Sequence, residues 1–474
     1  MVVKEEAERL KASENLLMTN AMKKDYIEDW KESNKDMLLN AGLGTADLWE
    51  EEPVFCGGVF LSMSFSKEVV PFLQDVYQAD AAHCNFGKYT LYSCYGTTAN
   101  CNTAPIAFAI LFGNEDKMGW DAFWKFALQH HPTLNRDEKT FITDQAKGLV
   151  DSVKALLNNA SHFHCSYHRM KNILTHCKGG KKTFSGHWLY QKLIGAKTKA
   201  DVDRIRNEHV LQMSDRVLKY LATVADDAQY PACRVAKTEH KEVYMYRRTA
   251  SSSVESMNRA NKAARDKTAV DVVQALKLLI DLETSRFLKK KADAWNHNET
   301  LTPHGIKLRD EIFANVDFHD YTIDIAEHDD SWVCQVTKTR MMRTAWFPKE
   351  ADDMGSFFGG CNCGIPNVDA VPCHHMVAVV KCGRVKSLTP NNVMPRWWTT
   401  EMWRKQYPAA LTSLNDFSLE TLKLTEQPDK TMKYCPPFVA PNKTGRPFEG
   451  QRIKGLLEET KPKKMRNQAL LEAI

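Results

Sequence analysis

Residues 361–375 read CNCGIPNVDAVPCHH, three cysteines and two histidines in one short polar stretch. Cys361 and Cys363 are separated by one residue, and Cys373 and His375 repeat that spacing ten residues later. Thiolate and imidazole are the ligands Zn²⁺ prefers, and four of them close a tetrahedral structural site. Gly364, Pro366 and Pro372 predict a turn-rich loop with little helix or strand between the two pairs. Two such pairs around one loop are hard to reach by accident. Which four residues bind is left to the context.

A second chemistry needs carboxylates. Phosphoryl transfer by two Mg²⁺ ions calls for acids from separate elements converging on one phosphodiester, the metals roughly 3.5–4 Å apart. Mg²⁺ takes oxygen ligands and keeps several waters, so two or three carboxylates suffice. Asp80 ends the extended run VYQAD (76–80), and Asp144 ends TFITD (140–144). Each is expected where a central strand stops, at the mouth of a sheet. Glu255, near the start of a later helix, brings a third carboxylate, with Glu239 and Glu242 close by as competitors. Taken singly each is an ordinary surface or capping acid, one of 59 acidic residues; their order along the chain is what makes them a set. Asp137 and Glu283 serve as expected surface acids for comparison.

Residues 1–52 read as charged and helix-prone. Strand-like runs follow at 54–65, 76–80, 89–96 and 104–113, then a helix at 119–131 whose Trp120, Phe123, Trp124 and Phe126 are core residues. A strand at 140–144, a helix at 145–157 and a strand at 161–168 complete the series. Three antiparallel-type strands, a helix, a strand, a helix and a strand is the element order of a ribonuclease-H-like α/β domain. The domain scheme is a charged helical segment (1–52), the first part of the catalytic core (53–168), a helical insertion (169–243), and a helix completing the core (244–300). A strand-rich unit with the cysteine loop (318–385) and a Pro-rich, basic tail (386–474) follow. Ser251 to Ser253 are cap candidates for the helix bearing Glu255, and Val270, Val273, Leu276 and Ile280 give it a core-facing side. RFLKKK (286–291) is expected to be a solvated helix end.

Bulk properties bound the rest. The 474 residues fit about three domains, and the composition is that of a soluble globular protein. The longest apolar run, around 105–112, is too short to span a bilayer. The charged opening MVVKEEAERLKASEN predicts no secretory signal, and the thirteen scattered cysteines are expected to be reduced, with a metal-binding subset. A net charge of +5 is only mildly basic, so the distribution of charge matters more than its sum.

With these motifs in place the chain resembles the Mutator-like (MULE) DDE transposases, from about Val70 to His375. The quoted matches are ADAAHC around Asp80, ITDQAKGL at Asp144, the C-x-x-H pair Cys165 and His168 in HCSYHRMKN, and VESMNRA, which places the family's Glu at Glu255 with Asn258 one turn on. Residues 361–375 are similar to a SWIM zinc finger, C-x-C-x(n)-C-x-H. That similarity names Cys361, Cys363, Cys373 and His375 as the ligands of one Zn²⁺ and leaves His374 as a neighbour. The resemblance implies a ribonuclease-H-like core, two catalytic Mg²⁺ held by Asp80, Asp144 and Glu255, and DNA as partner, with a homo-oligomer expected and no membrane. Cys165, His168 and Asn258 are candidates for positioning DNA; a thiol and an imidazole simply buried at a strand end are the equal alternative for the first two. The chain departs from the family in having Ala where a small hydroxyl residue often follows the first Asp. It also has no zinc-type DNA-binding domain ahead of the core. End recognition then falls to the first 52 residues, the helical insertion or the finger.

The function expected is transposon-end cutting and joining by metal-dependent phosphoryl transfer. The alternative is a domesticated DNA-binding regulator that keeps fold and finger without cutting, and a third is an unrelated nuclease of the same fold. KPKK (461–464) in the tail is the composition of a nuclear-import or phosphate-binding segment, so a nuclear location is expected.

Overall fold

The run YTLYSCYGT is buried along its whole length, on both faces, which demands neighbours on each side of it. In the computed structural model it is strand β3 (Tyr89–Thr97) of a six-stranded sheet with β1 (Val59–Ser62), β2 (Gln74–His83), β4 (Thr103–Phe112), β5 (Thr140–Thr143) and β6 (Ser161–His164). The strand order is β1-β4-β3-β2-β5-β6. The β1–β4, β4–β3 and β3–β2 pairs are antiparallel, whereas β2–β5 and β5–β6 are parallel. The structure describes residues 59–62, 66–85, 89–146, 148–176, 181–209, 215–237, 244–266 and 272–407. The expected 1–52 segment, Glu239, Glu242, Val270 and the basic tail with Lys461, Lys463 and Lys464 lie outside these residues.

Helix α1 (Lys117–His130) connects β4 to β5. It starts at Asp116, whose side chain accepts from the Gly119 amide at 2.8 Å, an N-cap of the usual kind. Trp120, Phe123, Trp124 and Phe126 are all fully buried, as expected from their spacing. Trp124 meets Phe141 of β5 edge-on at 5.3 Å, Trp120 meets Tyr92 of β3 at 4.9 Å and Phe126 meets Phe60 of β1 at 5.0 Å, so this helix clamps three strands. Helix α2 (Leu149–Leu156) makes the crossover from β5 to β6.

Several boundaries differ from expectation. Strand β2 runs three residues past Asp80, to His83, because β3 continues to pair with it (Asp80 with Ser93, His83 with Thr90). The last expected strand stops at His164, and helix α3 (Ser166–His176) begins at once, so Cys165 and His168 straddle a strand-to-helix junction rather than ending a strand. Helices α4 (Lys181–Gly195), α5 (Lys199–His209), α6 (Asp215–Leu221) and α7 (Pro231–Lys237) form the helical region that follows.

Helix α8 (Ser252–Ala260) returns to the sheet, followed by α9 (Lys262–Arg265) and the long α10 (Val272–Asn296). RFLKKK lies inside α10, not at its end, and Glu283 is buried rather than a surface acid. Glu283 Oε1 accepts from Tyr95 Oη at 2.7 Å, Asn261 Nδ2 at 2.6 Å and Arg286 Nη1 at 3.1 Å. Four polar groups from β3, α10 and the junction between α8 and α9 thus satisfy one another, which is what permits their burial.

After α11 (Pro303–Ala314), strands β7 (Thr322–Glu327), β8 (Ser331–Lys338), β9 (Met341–Pro348) and β10 (Gly360–Cys361) make a second, antiparallel sheet ordered β10-β9-β8-β7. The cysteine stretch carries more regular structure than its prolines suggest. Pro366 sits in the first turn of α12 (Ile365–Asp369), where a missing N–H costs nothing, and α13 (His374–Cys382) starts at the last ligand candidates. The chain beyond 385 is not loose up to Tyr407. Helix α14 (Thr400–Lys405) and the buried Trp398, Trp403 and Tyr407 pack on the main core. Large aromatic surface wins there over the turn-forming sequence around it. No helix among the described residues is long and apolar enough to cross a membrane.

Candidate active site and metal centre

Asp80 and Asp144 come together through strand register. Gln78 of β2 is opposite Ile142 of β5 in the parallel pair, so two residues further on Asp80, still within β2, and Asp144, just past β5, come level. Asp144 lies one residue beyond β5, and its Oδ1 accepts from the Ala146 amide at 2.8 Å, bending the chain away from the strand. Gly148 completes that bend at φ +88°, and a Cβ there would meet the Lys117 backbone nitrogen at 2.3 Å. Only glycine lets the loop after Asp144 pack against the start of α1.

Glu255 arrives on α8. Gln78 fixes that helix: its Oε1 accepts from the amides of Ser253 and Val254, both at 3.2 Å, satisfying two orphan donors of the helix start. One turn past Glu255, Asn258 donates from Nδ2 to Asp80 Oδ2 at 3.0 Å, and its Oδ1 accepts from Ser93 at 3.0 Å. Asn258 is buried with both ends of its carboxamide engaged. The expectation that it reaches DNA gives way to a role in holding Asp80. Glu255 is half-buried, with Oε1 3.7 Å from His168 Nε2 and 3.4 Å from Ser251 Oγ.

The electrostatics fit a gathering of like charges. Burial and then the Asp144 charge push the Asp80 carboxyl up to about 7, against the opposing Asn258 hydrogen bond. His168 is held up to about 8, first by its hydrogen bond with Cys165 and further by the charges of Cys165, Glu255 and Asp144. Burial acts to raise the Cys165 thiol, but hydrogen bonds with His168 and Ser251 outweigh it and leave it below its ordinary value. The Ser251 amide donates to its Sγ at 3.3 Å. Cys165 and His168 thus sit as a hydrogen-bonded pair beside the acids.

Two members were not legible in the sequence as site residues. Gln78 carries no chemistry of its own; its place two residues before Asp80 is the only clue. Glu115 follows β4 and accepts from Trp120 Nε1 at 2.9 Å, and its carboxyl is raised by burial and by the Asp144 charge. It looks like one more acid in a turn, and only the sheet shows that β4 ends at the same edge as β2.

The second centre is the cysteine cluster. One ligand atom from each of Cys361, Cys363, Cys373 and His375 lies within 4.8 Å of all the others. His375 Nδ1 is 3.7 Å from both Cys361 Sγ and Cys373 Sγ. A tetrahedral ion with Zn–S of about 2.3 Å and Zn–N of about 2.0 Å has edges of roughly 3.6–3.8 Å, so the donor set fits zinc in kind and spacing. Hydrogen bonds with Cys361 and Cys373 drive the Cys363 thiol well down, the Cys361 thiol goes up to about 12 beside it, and burial raises Cys373. Thiols packed this closely oppose a second thiolate, an opposition that a divalent cation would relieve. Gly364, at φ +81°, lets the loop pass so close to Lys197 that a Cβ would lie 2.1 Å from its carbonyl oxygen, seating the cluster against the turn before α5. His374 is exposed and outside the cluster.

Residues 81–172 match the family model of the MULE transposase domain. That span begins one residue after Asp80 and includes Asp144, Cys165 and His168; Glu255 and the cysteine cluster lie beyond it. No curated protein matches the chain.

Proposed function

The chain carries a Mutator-like (MULE) transposase domain, and from that premise we propose that it is a DNA transposase with a ribonuclease-H-like core. In this reading Asp80, Asp144 and Glu255 hold two catalytic Mg²⁺ ions, and Cys361, Cys363, Cys373 and His375 hold a structural Zn²⁺ in a SWIM-type finger. The observation that carries it is Asp80 on β2 level with Asp144 just past its parallel neighbour β5, with α8 docked on β2 through Asn258 and Gln78 and its Glu255 3.7 Å from His168. Carboxyl groups that repel one another across a half-buried site are what a divalent cation would relieve. Bound Mg²⁺ supplies Lewis-acid stabilisation of the phosphodiester oxygens.

The chain's own residues do the rest. Asn258 and Gln78 fix α8 on β2 so that the acids keep their spacing. His168, mostly protonated at neutral pH, puts a positive charge next to Glu255 and within reach of a DNA phosphate. Function on chromosomal DNA goes with a nuclear location and with a homo-oligomer that brings two ends together. The second reading, a regulator that binds without cutting, shares every one of these residues and differs only in outcome.

The test is incubation of the purified protein with its own flanking terminal repeats and Mg²⁺. Cleavage is expected from the parent and from Asp137→Asn, an exposed acid, and a loss of two or more orders of magnitude from Asp80→Asn, Asp144→Asn and Glu255→Gln. Each 1.36 kcal/mol of lost transition-state stabilisation is about tenfold in rate. DNA binding should be little changed in all of them. A parent that binds the repeats but never cuts them would favour the regulator, and equal cutting by all variants would remove the catalytic assignment.

A further inference from the structure

Between the helical region, α11 and the cysteine unit lies a cavity of about 810 Å³, and a second of about 400 Å³ adjoins it. The two share Arg247, Arg248, Thr249 and Glu311, so they form one continuous cleft. One end is lined by Cys373 and His374 of the metal centre, and the other by Ser252, the first residue of α8. We propose that this cleft holds an unpaired DNA strand leading to the Asp80–Asp144–Glu255 site. The proposal rests on the nucleic-acid reading above and adds where, and in what form, the DNA lies.

The segment 244–251 forms the wall common to both cavities and is tied down at each end. The Met245 amide donates to the Val368 carbonyl of α12 at 2.8 Å, while the Thr249 carbonyl accepts from the Ser166 amide at 2.7 Å, beside Cys165. Tyr246 and Arg247 both have left-handed φ, +48° and +60°. Tyr246 is buried, with Trp397 and Trp398 at 6.0 and 6.2 Å, and the same turn leaves Arg247 exposed. Arg248 donates to Ser253 Oγ at 3.2 Å, reaching the first turn of the Glu255 helix, while its buried Nε has no hydrogen-bond partner among the described residues.

Charge and shape favour a nucleic-acid strand. Five cations, Lys197, Arg247, Arg248, Lys307 and Lys338, face two carboxylates, Glu311 and Asp369. With Asp320, which pairs with Lys338 at 3.0 Å, the local excess is two positive charges on a chain whose whole net charge is +5. At the metal-centre end Lys338 stands 4.9 Å over the Tyr321 ring, and Tyr321 lies 6.4 Å from the exposed His374 ring. Cations beside accessible rings are the materials of single-strand binding, where bases stack and phosphates pair. Cavities of this size fall in the small-ligand range of about 300–1,000 Å³, room for a few nucleotides of one strand and too narrow for a duplex.

The experiment measures anisotropy of a dye-labelled twelve-nucleotide thymidine strand, and of a duplex of equal length, with the full chain in Ca²⁺ and without Mg²⁺. Replacing Arg247, Lys307 and Lys338 together by Ala should weaken strand binding at least tenfold and reduce its salt slope by about 2, at about 0.7 per phosphate. Duplex binding should change less than threefold, and Asp137→Asn, an exposed acid outside the cleft, should bind the strand as the parent does. Zinc content and thermal unfolding check that the triple variant is folded. Should it not be, photocrosslinking of an iodouracil-substituted strand to the parent decides, with crosslinks expected at Tyr321, His374 or residues 244–251. Unchanged strand binding, crosslinks elsewhere, or displacement by a polyglutamate peptide as effective as by unlabelled strand would overturn the proposal. Because binding is read without cutting, a protein that never cleaves would leave this inference standing while removing the catalytic one.

Discussion

Asn258 Nδ2 donates to Asp80 Oδ2 at 3.0 Å, across the contact between α8 and β2. A neutral donor on a carboxylate favours the ionised form, so this bond opposes the burial and the Asp144 charge that push Asp80 up to about 7. Asn258→Ala should therefore leave Asp80 more protonated at neutral pH and, if it holds Mg²⁺, a poorer ligand. The expected result is a roughly tenfold higher Mg²⁺ requirement for cleavage, about 1.4 kcal/mol. Stability should fall by about 1–2 kcal/mol, because Ser93 also loses a partner. An unaltered Mg²⁺ titration would show that Asn258 merely packs.

Glu283→Gln probes the brace behind the same helix. The buried carboxylate joins Tyr95, Asn261 and Arg286, and the amide cannot accept from all three while placing its own NH₂. Denaturant unfolding should report a loss of about 3–5 kcal/mol, the range for breaking a buried charge pair. DNA binding per folded molecule should stay the same. A loss below 0.5 kcal/mol would mean that the network relaxes freely.

Glu283 also shows where sequence reasoning stops. The periodic strands and the aromatic spacing of α1 are local patterns, and they were legible, as were the two C-x-C/H pairs. Asp144 was legible as well, since a buried four-residue strand ends immediately before it. Glu283 was not, because an acid on a helix reads as solvated until its partners, one of them 188 residues away, are known. Asp80 lies on the expected strand, but that strand continues past it, since strand length is set by the pairing with β3. Helix α11 went unassigned, and the fold of 386–407 was read as tail, because the packing of Trp398 and Trp403 is a long-range fact.

His131 predicts acid sensitivity away from both the acids and the cysteine cluster. Its Nε2 lies 2.8 Å from Ser62 Oγ and 3.1 Å from Ser66 Oγ, and burial lowers its pKa from 6.5 to about 4. The unfolded chain takes up a proton below about 6.5 and the folded one only near 4, so stability is lost as pH falls across that window and is intact above it. The contribution is about 3 kcal/mol at pH 4. His162 and His164, also lowered by burial, act with the same sign. His131→Gln, which keeps an acceptor for Ser62, should flatten the fall in unfolding free energy between pH 6.5 and 4 without abolishing it. An unchanged slope would assign the acid loss to other groups.

The metal centre gives the last prediction. Cys361 and Cys373 are fully buried in a small core with Phe347, Met376 and Val377, between β9, β10 and α13. That core is much smaller than the main one, and three thiols with one imidazole in it add little cohesion without an ion. Because zinc ligation is coupled to local folding, elemental analysis should find close to one zinc per chain. Chelation should expose the amides of β10, α12 and α13 to hydrogen exchange before those of β2, β3 and β5, whose burial owes nothing to the ion. Cys363→Ser should lose the zinc, while His374→Ala, altering an exposed ring outside the cluster, should keep it. Loss in both would move the ligand from His375 to its neighbour, and retention in both would remove the centre. Exchange that rises first in β2 and β5 would mean that the chelator strips an ion from the acidic site instead.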